Sequence, residues 1–373
     1  MLNKTLLGVF CVGLALSSFA TTDPRCADDK LRPYANLREC DFRATNFQDV
    51  AVTRKGGKVD LTGANLFKAD FTKNKTLKGS VIFTGADLNF AKLDQINAER
   101  VSFYKAKLNY ISLRGAKLEN AVFTEANLSN AHLEKSNLSN ASLHKAIMIE
   151  VELDGATANN INLTGANLSG TKLRGTKLKG AQLQGADLTG AQMNSKTDLT
   201  HADLTDATLN RINAINVNFA VARSLVGAKF VATKIAEPLI LDKANFKNQN
   251  LTSTTFTVVR AQNADFSGAT LNNAVIMFSN FHSSNFNRAS MVGVSLNEVA
   301  AVNANFSRAD FKNSTLGVIN FSQANLTRAD LSNTQISCLV DFRNAIWVNG
   351  RKCAYNSPFG SCPTYFYNSK CGK

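Results

Sequence analysis

Between Ile161 and Gly190 the chain reads INLTG ANLSG TKLRG TKLKG AQLQG ADLTG, six blocks of five whose third residue is always Leu. Two places before each Leu stands Ala or another small or β-branched residue: Ile161, Ala166, Thr171, Thr176, Ala181 and Ala186. A period of five fits neither an α-helix at 3.6 nor an ordinary strand at 2. Working outward, the phase holds without a slip from Phe103 to Met193, with Ala158 at one large-residue position. It slips by one residue before Leu199, is disturbed between about Val221 and Lys243, and holds again from Leu241 to Ile336.

A longer period explains the shorter one. Phe246, Phe266, Phe286, Phe306 and Leu326 are spaced by twenty, and each follows an Asn or Asp, at Asn245, Asp265, Asn285, Asn305 and Asn325. Four blocks therefore close one coil of a solenoid, and equivalent residues stack coil upon coil. With neighbouring backbones ~4.8 Å apart, about fifteen coils from near Cys40 to near Trp347 predict a rod on the order of 70 Å long. The large residue and the small one two before it point inward, and the other three face water. Each buried Leu or Phe contributes roughly 1.5 to 3 kcal/mol, and stacking adds these contributions along the rod. Asn120, Asn140 and Asn160, and the column from Asn245 to Asn325, are placed to hydrogen-bond between coils.

Blocks such as Ala64-Asn-Leu66, Ala126-Asn-Leu128, Ala186-Asp-Leu188 and Ala309-Asp-Phe311 resemble the pentapeptide-repeat family, whose unit is Ala, then Asp or Asn, then Leu, then two variable residues. The resemblance covers roughly residues 40–347 and implies an all-β fold, a right-handed quadrilateral β-helix. It leaves residues 21–39 and the cysteine-containing 348–373 as end caps, needed because open strand edges invite aggregation. Tyr355, Phe359, Tyr365, Phe366 and Tyr367 are placed to lie over the last coil, with an exposed binding patch as the alternative. Irregular stretches at about 48–59, 72–80 and 221–243, the last with Pro238, mark bulged loops or a kink. The best-known members of the family resemble B-form DNA and protect DNA gyrase, a role that calls for an acidic cytosolic rod. This chain departs from that pattern in charge, in its N-terminal segment and in its cysteines.

Residues 1–20 carry one basic residue, an apolar run from about Leu6 to Leu16, and small residues at Ser18 and Ala20. This is the pattern of a secretory signal cleaved after Ala20, with an apolar run short of the ~20 residues that span a bilayer. No later stretch is apolar enough to serve as an integral membrane segment. Cys11 leaves with the signal, and six cysteines remain at the two ends. In an oxidising compartment these are expected to form disulfides. Cys26 is expected to pair with Cys40, and Cys338, Cys353, Cys362 and Cys371 among themselves, in one of three connectivities. A zinc site built from the last four is disfavoured by their wide spacing, without Cys-x-x-Cys or a nearby His.

The search for chemistry returns no cofactor site and no catalytic set. His132, His144, His201 and His282 fall at outward positions and no two share a column, which gives no metal site. Glu134 and Asp154 stack at about the 5 Å spacing of a retaining glycosidase pair. Arg114 and Arg174 continue the same column, however, and a flat face has no cleft to desolvate an acid, so a surface charge ladder is expected. No Gly-rich phosphate loop and no Ser/His/Asp or Cys/His set is present.

Charge carries the functional expectation. The formal net charge is +14, and an exported protein this basic is suited to polyanions such as lipopolysaccharide or an envelope glycan, or to an acidic protein partner. Arg54, Lys55, Lys58, Lys68, Lys73, Lys75 and Lys78 crowd one stretch against Asp60 and Asp70. Arg288, Arg308 and Arg328 share one column, where Asp310 and Asp330 are expected to oppose the latter two. The sequence therefore predicts a non-enzymatic exported binding or scaffold protein, with a topoisomerase-binding DNA mimic and a β-helical polysaccharide-acting enzyme as alternatives.

Overall fold

The computed structural model describes residues 26, 36–47, 59–72, 77, 81–214, 217–232, 235 and 237–353. The chain winds as a right-handed quadrilateral β-helix whose neighbouring coils pair in parallel throughout. One ladder of paired residues climbs from Asp41 through Asn65, Asp87, Lys107 and so on to Gln335 in fourteen steps. Every step from Asp87 to Asp187 and from Thr255 to Gln335 is twenty residues, the predicted coil.

The inward columns form a continuous core. Phe219, Phe246, Phe266, Phe286 and Phe306 stack face to face at 4.7–4.8 Å with planes within 8° of parallel. Phe83, Phe103 and Phe123 do the same on another face at 5.2 and 4.7 Å. The ring spacing equals the strand spacing, so the backbone ladder imposes the stacking. Not every inward position is large. Ala261, Phe281 and Ala301 follow one another in one column, and the position two before each compensates, with Val259, Ser279 and Val299 respectively. A larger side chain beside each Ala and a smaller one beside Phe281 keep the interior filled.

Corners are tight turns closed by the small residue's N–H on the carbonyl of the large residue three earlier, as from Ala91 to Leu88 at 3.0 Å. The third residue of the turn has φ near +60°, for example Phe90, Tyr110 and Asn120, which is the mark of a type II turn. Bulk at the small position loosens the corner. Ala126 to Phe123 is 2.9 Å, whereas Ile96 to Leu93, Val151 to Met148 and Ile161 to Ala158 are each 3.4 Å. Where Ser279 and Val299 stand, the strand pairing of Val275–Asn280 and Ser295–Ala300 continues around the corner, with Phe278 and Glu298 at φ 52° and 53°. The Asn or Asp just before the large residue accepts the first N–H beyond it, as Asp265 Oδ1 does from Ser267 at 2.9 Å and Asn305 Oδ1 from Ser307 at 3.1 Å. That contact is local and explains why the motif prefers Asn or Asp there.

Departures from twenty locate the irregularities. Asn46 pairs with Asp70, four residues over the period, and Asp70 with Lys92, two over. One extra residue lies between Gln192 and Asp198, where the phase slips before Leu199. The third irregular stretch resolves into two: a 3-10 turn at Phe219–Val221 and an insertion between Ala232 and Leu239. A final extra residue near Cys338 makes Ile319 pair with Val340. The Asn287, Asn305 and Asn285 side chains bridge coils, Asn305 Nδ2 donating to Asn285 Oδ1 and Asn285 Nδ2 to Asp265 Oδ1, each at 3.1 Å. Asn160 Nδ2 donates to Asn140 Oδ1 at 3.3 Å.

Cys26 and Cys40 form a disulfide, Cα–Cα 5.4 Å, against the first coil. At the far end the chain reverses: Ile346 pairs antiparallel with Lys352, and Cys353 N–H donates to Ala345 O at 2.8 Å. Cys338 and Cys353 are both disulfide-bonded. Cys362, Cys371, the five aromatic residues of the tail and the N-terminal signal lie outside the described residues.

Candidate functional site

Side chains one before and one after the large residue both point outward, so each face carries two parallel outer columns. On the face of Leu113, Leu133, Leu153 and Leu173 one column runs Ser112, His132, Glu152, Lys172 and the other Asp94, Arg114, Glu134, Asp154, Arg174. Arg114 Nε donates to Glu134 Oε1 at 3.1 Å. Arg174 donates its backbone N–H to Asp154 Oδ1 at 2.8 Å and keeps Nη1 3.7 Å from Oδ2. The stacked carboxylates thus belong to a charge ladder. The face is not flat, however: Gln95, Arg114, Gly115, Glu134, Lys135 and Asp154 line an open depression of about 510 Å³, where Gly115 leaves the corner bare.

The other column departs from the sequence reading of the histidines. His132 Nδ1 lies 3.2 Å from Glu152 Oε2 and 4.0 Å from Glu134 Oε1. Lys172 Nζ holds Glu152 Oε1 at 2.5 Å. Glu152 is pushed down to about 2, first by the hydrogen bond from the Lys172 ammonium, with His132 adding to the lowering and burial opposing it. The histidines do avoid one another's columns. A histidine twenty residues from one carboxylate and two from another nevertheless meets both on the same face.

The predicted basic residues form two groups. Of the first group Lys68 alone is described: it sits exposed at a corner, φ 58°, its Nζ 5.3 Å from the centre of the Phe67 ring. Arg54, Lys55, Lys58, Lys73, Lys75 and Lys78 lie outside the described residues. Arg288, Arg308 and Arg328 stand exposed on consecutive coils at one corner, each with φ of 58–61°. The expected counter-charges go elsewhere. Lys312, on the outer face with them, takes Asp330 at 3.1 Å and Asp310 at 3.7 Å. Those carboxylates also accept the N–H groups of Lys312 and Ser332. They lie beyond the corner on the next face, so the turn directs the arginines away from them. Among the described residues none of the three arginines has an ion pair.

A second feature absent from the sequence reading is an exposed aromatic ladder. Phe90 and Tyr110 stack at 4.8 Å with planes 5° apart, and Phe67 packs edge-on against Phe90 at 5.5 Å. Phe90 and Tyr110 occupy left-handed corner positions, where the five-residue phase alone would have flagged two aromatics facing water.

No helix among the described residues is long and apolar enough to cross a membrane. No curated protein sequence matches the chain. The family model described as "Pentapeptide repeats" matches in 8 copies, over residues 82–120, 121–157, 161–194, 262–297 and 304–337. Among solved structures, the chain is similar to HetL, a pentapeptide repeat protein involved in heterocyst differentiation regulation from the cyanobacterium Nostoc sp. strain PCC 7120, at 25% identity over 66% of this chain and 94% of that one, TM-score 0.28. It is also similar to Rfr23 from the cyanobacterium Cyanothece 51142, at 24% identity over 44% and 86%, TM-score 0.22. A pentapeptide repeat protein of the Arabidopsis thaliana thylakoid lumen matches at 29% identity over 26% and 70%, TM-score 0.16. With its five-residue phase, its parallel ladder of coils and these repeat matches, the chain belongs to the pentapeptide-repeat family.

Proposed function

We propose that this chain is an exported, non-enzymatic binding protein that presents a basic β-helical rod to a polyanion, such as lipopolysaccharide or an acidic envelope glycan. The observation that carries this reading is the column of Arg288, Arg308 and Arg328, exposed on three successive coils and without ion pairs among the described residues. Three guanidinium groups at the ~4.8 Å coil spacing repel one another, and a ligand with repeated anionic groups relieves that repulsion. Arginine forks suit phosphate and carboxylate bidentately. The remaining excess of lysines lengthens the attractive field without adding specificity.

Export is supported by the N-terminal pattern and by cysteines that are disulfide-bonded at both ends. Against an enzyme, every carboxyl among the described residues whose titration is displaced is displaced downward, by Arg43, Thr200, Ser332, Arg343 or Lys172, so none of these is poised as a general acid near neutrality.

The test compares wild type with the triple variant Arg288→Ser, Arg308→Ser, Arg328→Ser on immobilised heparin and on lipopolysaccharide micelles. The variant is expected to elute at lower salt, with a salt slope reduced by about one per arginine that meets an anion. Arg343→Ser, which removes an arginine already paired with Asp341 at 2.7 Å, serves as the control. Equal retention of the triple variant and wild type would rule out this column. Fractionation with intact mass tests export: a mature chain beginning at Thr21 outside the cytoplasm supports it, and an uncleaved cytosolic chain rejects it.

A further inference from the structure

We propose that His132, Glu134 and Glu152 form a site for a divalent transition-metal ion with mixed imidazole and carboxylate ligands, for which Zn²⁺ is the probe. One ligand atom from each residue lies within 4.8 Å of the others. The 3.2 Å from His132 Nδ1 to Glu152 Oε2 and the 4.0 Å to Glu134 Oε1 straddle the ligand-to-ligand edge of about 3.4 Å set by tetrahedral metal bonds of ~2.0–2.2 Å. Closing the triad therefore needs only side-chain adjustment.

The surroundings favour a cation. Glu134 Oε2 is buried and has no hydrogen-bond partner, although Arg114 holds the other oxygen at 3.1 Å. Glu152 is held differently, with Lys172 on Oε1 and Oε2 facing the imidazole, whereas in Glu134 it is the Arg114-bound Oε1 that lies 4.0 Å from His132 Nδ1. In Glu152 a carboxylate held through one oxygen by a cationic side chain turns the other to the candidate metal position, an outer-shell contact that fixes ligand orientation. His132 and Glu152 occupy paired positions of adjacent strands, so the stacked backbone holds two ligands in register. Both are only half-buried, which leaves the remaining coordination positions to water. One imidazole with two carboxylates suits Zn²⁺, Mn²⁺ or Fe²⁺ better than the all-oxygen preference of Ca²⁺ or Mg²⁺.

The experiment uses the full chain after chelator treatment and dialysis, titrated with Zn²⁺ by calorimetry, with the visible spectrum of Co²⁺ as a second readout. The expected result is one metal bound per chain at this face and an intensified Co²⁺ spectrum of nitrogen and oxygen ligation. His132→Gln and Glu152→Gln should each lower affinity by about tenfold or more, while His144→Gln, another outward histidine, leaves it unchanged. His132→Gln preserves a polar side chain on a surface strand, and its unaltered melting in chelator separates loss of a ligand from loss of fold. Absence of binding by wild type, or binding that survives both ligand variants, overturns the site.

Discussion

The side-chain nitrogen of Gln249 lies 2.9 Å from the carbonyl oxygen of Ala222, and 2.9 Å from that of Ala220 as well. Gln249 is buried at a position where most coils carry Ala. It sits one coil above the 3-10 turn at Phe219–Val221, which takes these two carbonyls off the parallel ladder. A single amide thus repairs the ladder where the five-residue phase breaks. Gln249→Leu keeps the bulk and removes the donor, leaving two carbonyls unsatisfied. The expected cost is about 2 kcal/mol or more, read as a lower urea midpoint, with amide exchange quickening first around residues 217–232. Wild-type exchange there in the variant would show that water substitutes for the amide.

The stacked phenylalanines allow a comparison within one chemistry. Phe266 is fully buried between Phe246 and Phe286, whereas Phe90 is 44% exposed in its stack with Tyr110. Phe266→Ala is expected to cost about 3–5 kcal/mol, as large aromatic truncations in packed cores do. Phe90→Ala should cost under about 1 kcal/mol, since the ring is largely exposed and alanine, which keeps the Cβ, leaves the left-handed corner as it was. Paired urea titrations check the ratio, and similar losses would mean that the outer ladder is as structural as the inner one.

Most of the fold was legible because the period is the fold: an inward residue every fifth position and identity every twentieth leave one way to wind the chain. Phe246 through Phe306 could be stacked on paper for that reason. The compensation of Ala261 and Ala301 by Val259 and Val299 was not, because it depends on volumes summed across a corner. Site features were harder to see. Asp310 and Asp330 are two residues from Arg308 and Arg328, yet the intervening turn sends them to Lys312. The His132 cluster combines a neighbour at two residues with one at twenty, and a search restricted to like residues in one column passes over it. Gln249 gave a signal, a long polar residue at a small inward position, that could have been read as compensation for a nearby break.

The Cys26–Cys40 bond closes a loop with a sequence separation of 14. Cross-linking a loop of about that length restricts the unfolded chain by roughly 3 kcal/mol in the chain-entropy description. In a solenoid the effect is local, since each coil touches only its neighbours. Cys26→Ser with Cys40→Ser should therefore fray the first coils, seen as faster exchange at Leu37, Phe42 and Phe47, while amides near Phe266 are unchanged. A uniform loss of protection along the rod would instead mean that the whole solenoid unfolds as one unit.

Asp341 provides the clearest dependence on acid. Its carboxylate accepts the Arg343 guanidinium at 2.7–3.0 Å and the Arg343 backbone N–H at 2.9 Å. The Arg343 side-chain hydrogen bond holds its titration below the ordinary carboxylate value, with burial opposing and the backbone bond and charge of Arg343 adding to the lowering. A carboxyl depressed in the folded state stabilises above its unfolded value and loses that contribution as pH falls through the folded one. The difference in urea midpoint between wild type and Asp341→Asn should accordingly be full above about pH 5 and shrink between about pH 4 and pH 2. Asp41, Asp198 and Asp330 are lowered in the same direction, but they are common to both proteins and cancel in the comparison. A difference that persists undiminished at pH 2 would assign the role of Asp341 to its backbone hydrogen bond, which asparagine would then be supplying poorly, and not to its charge.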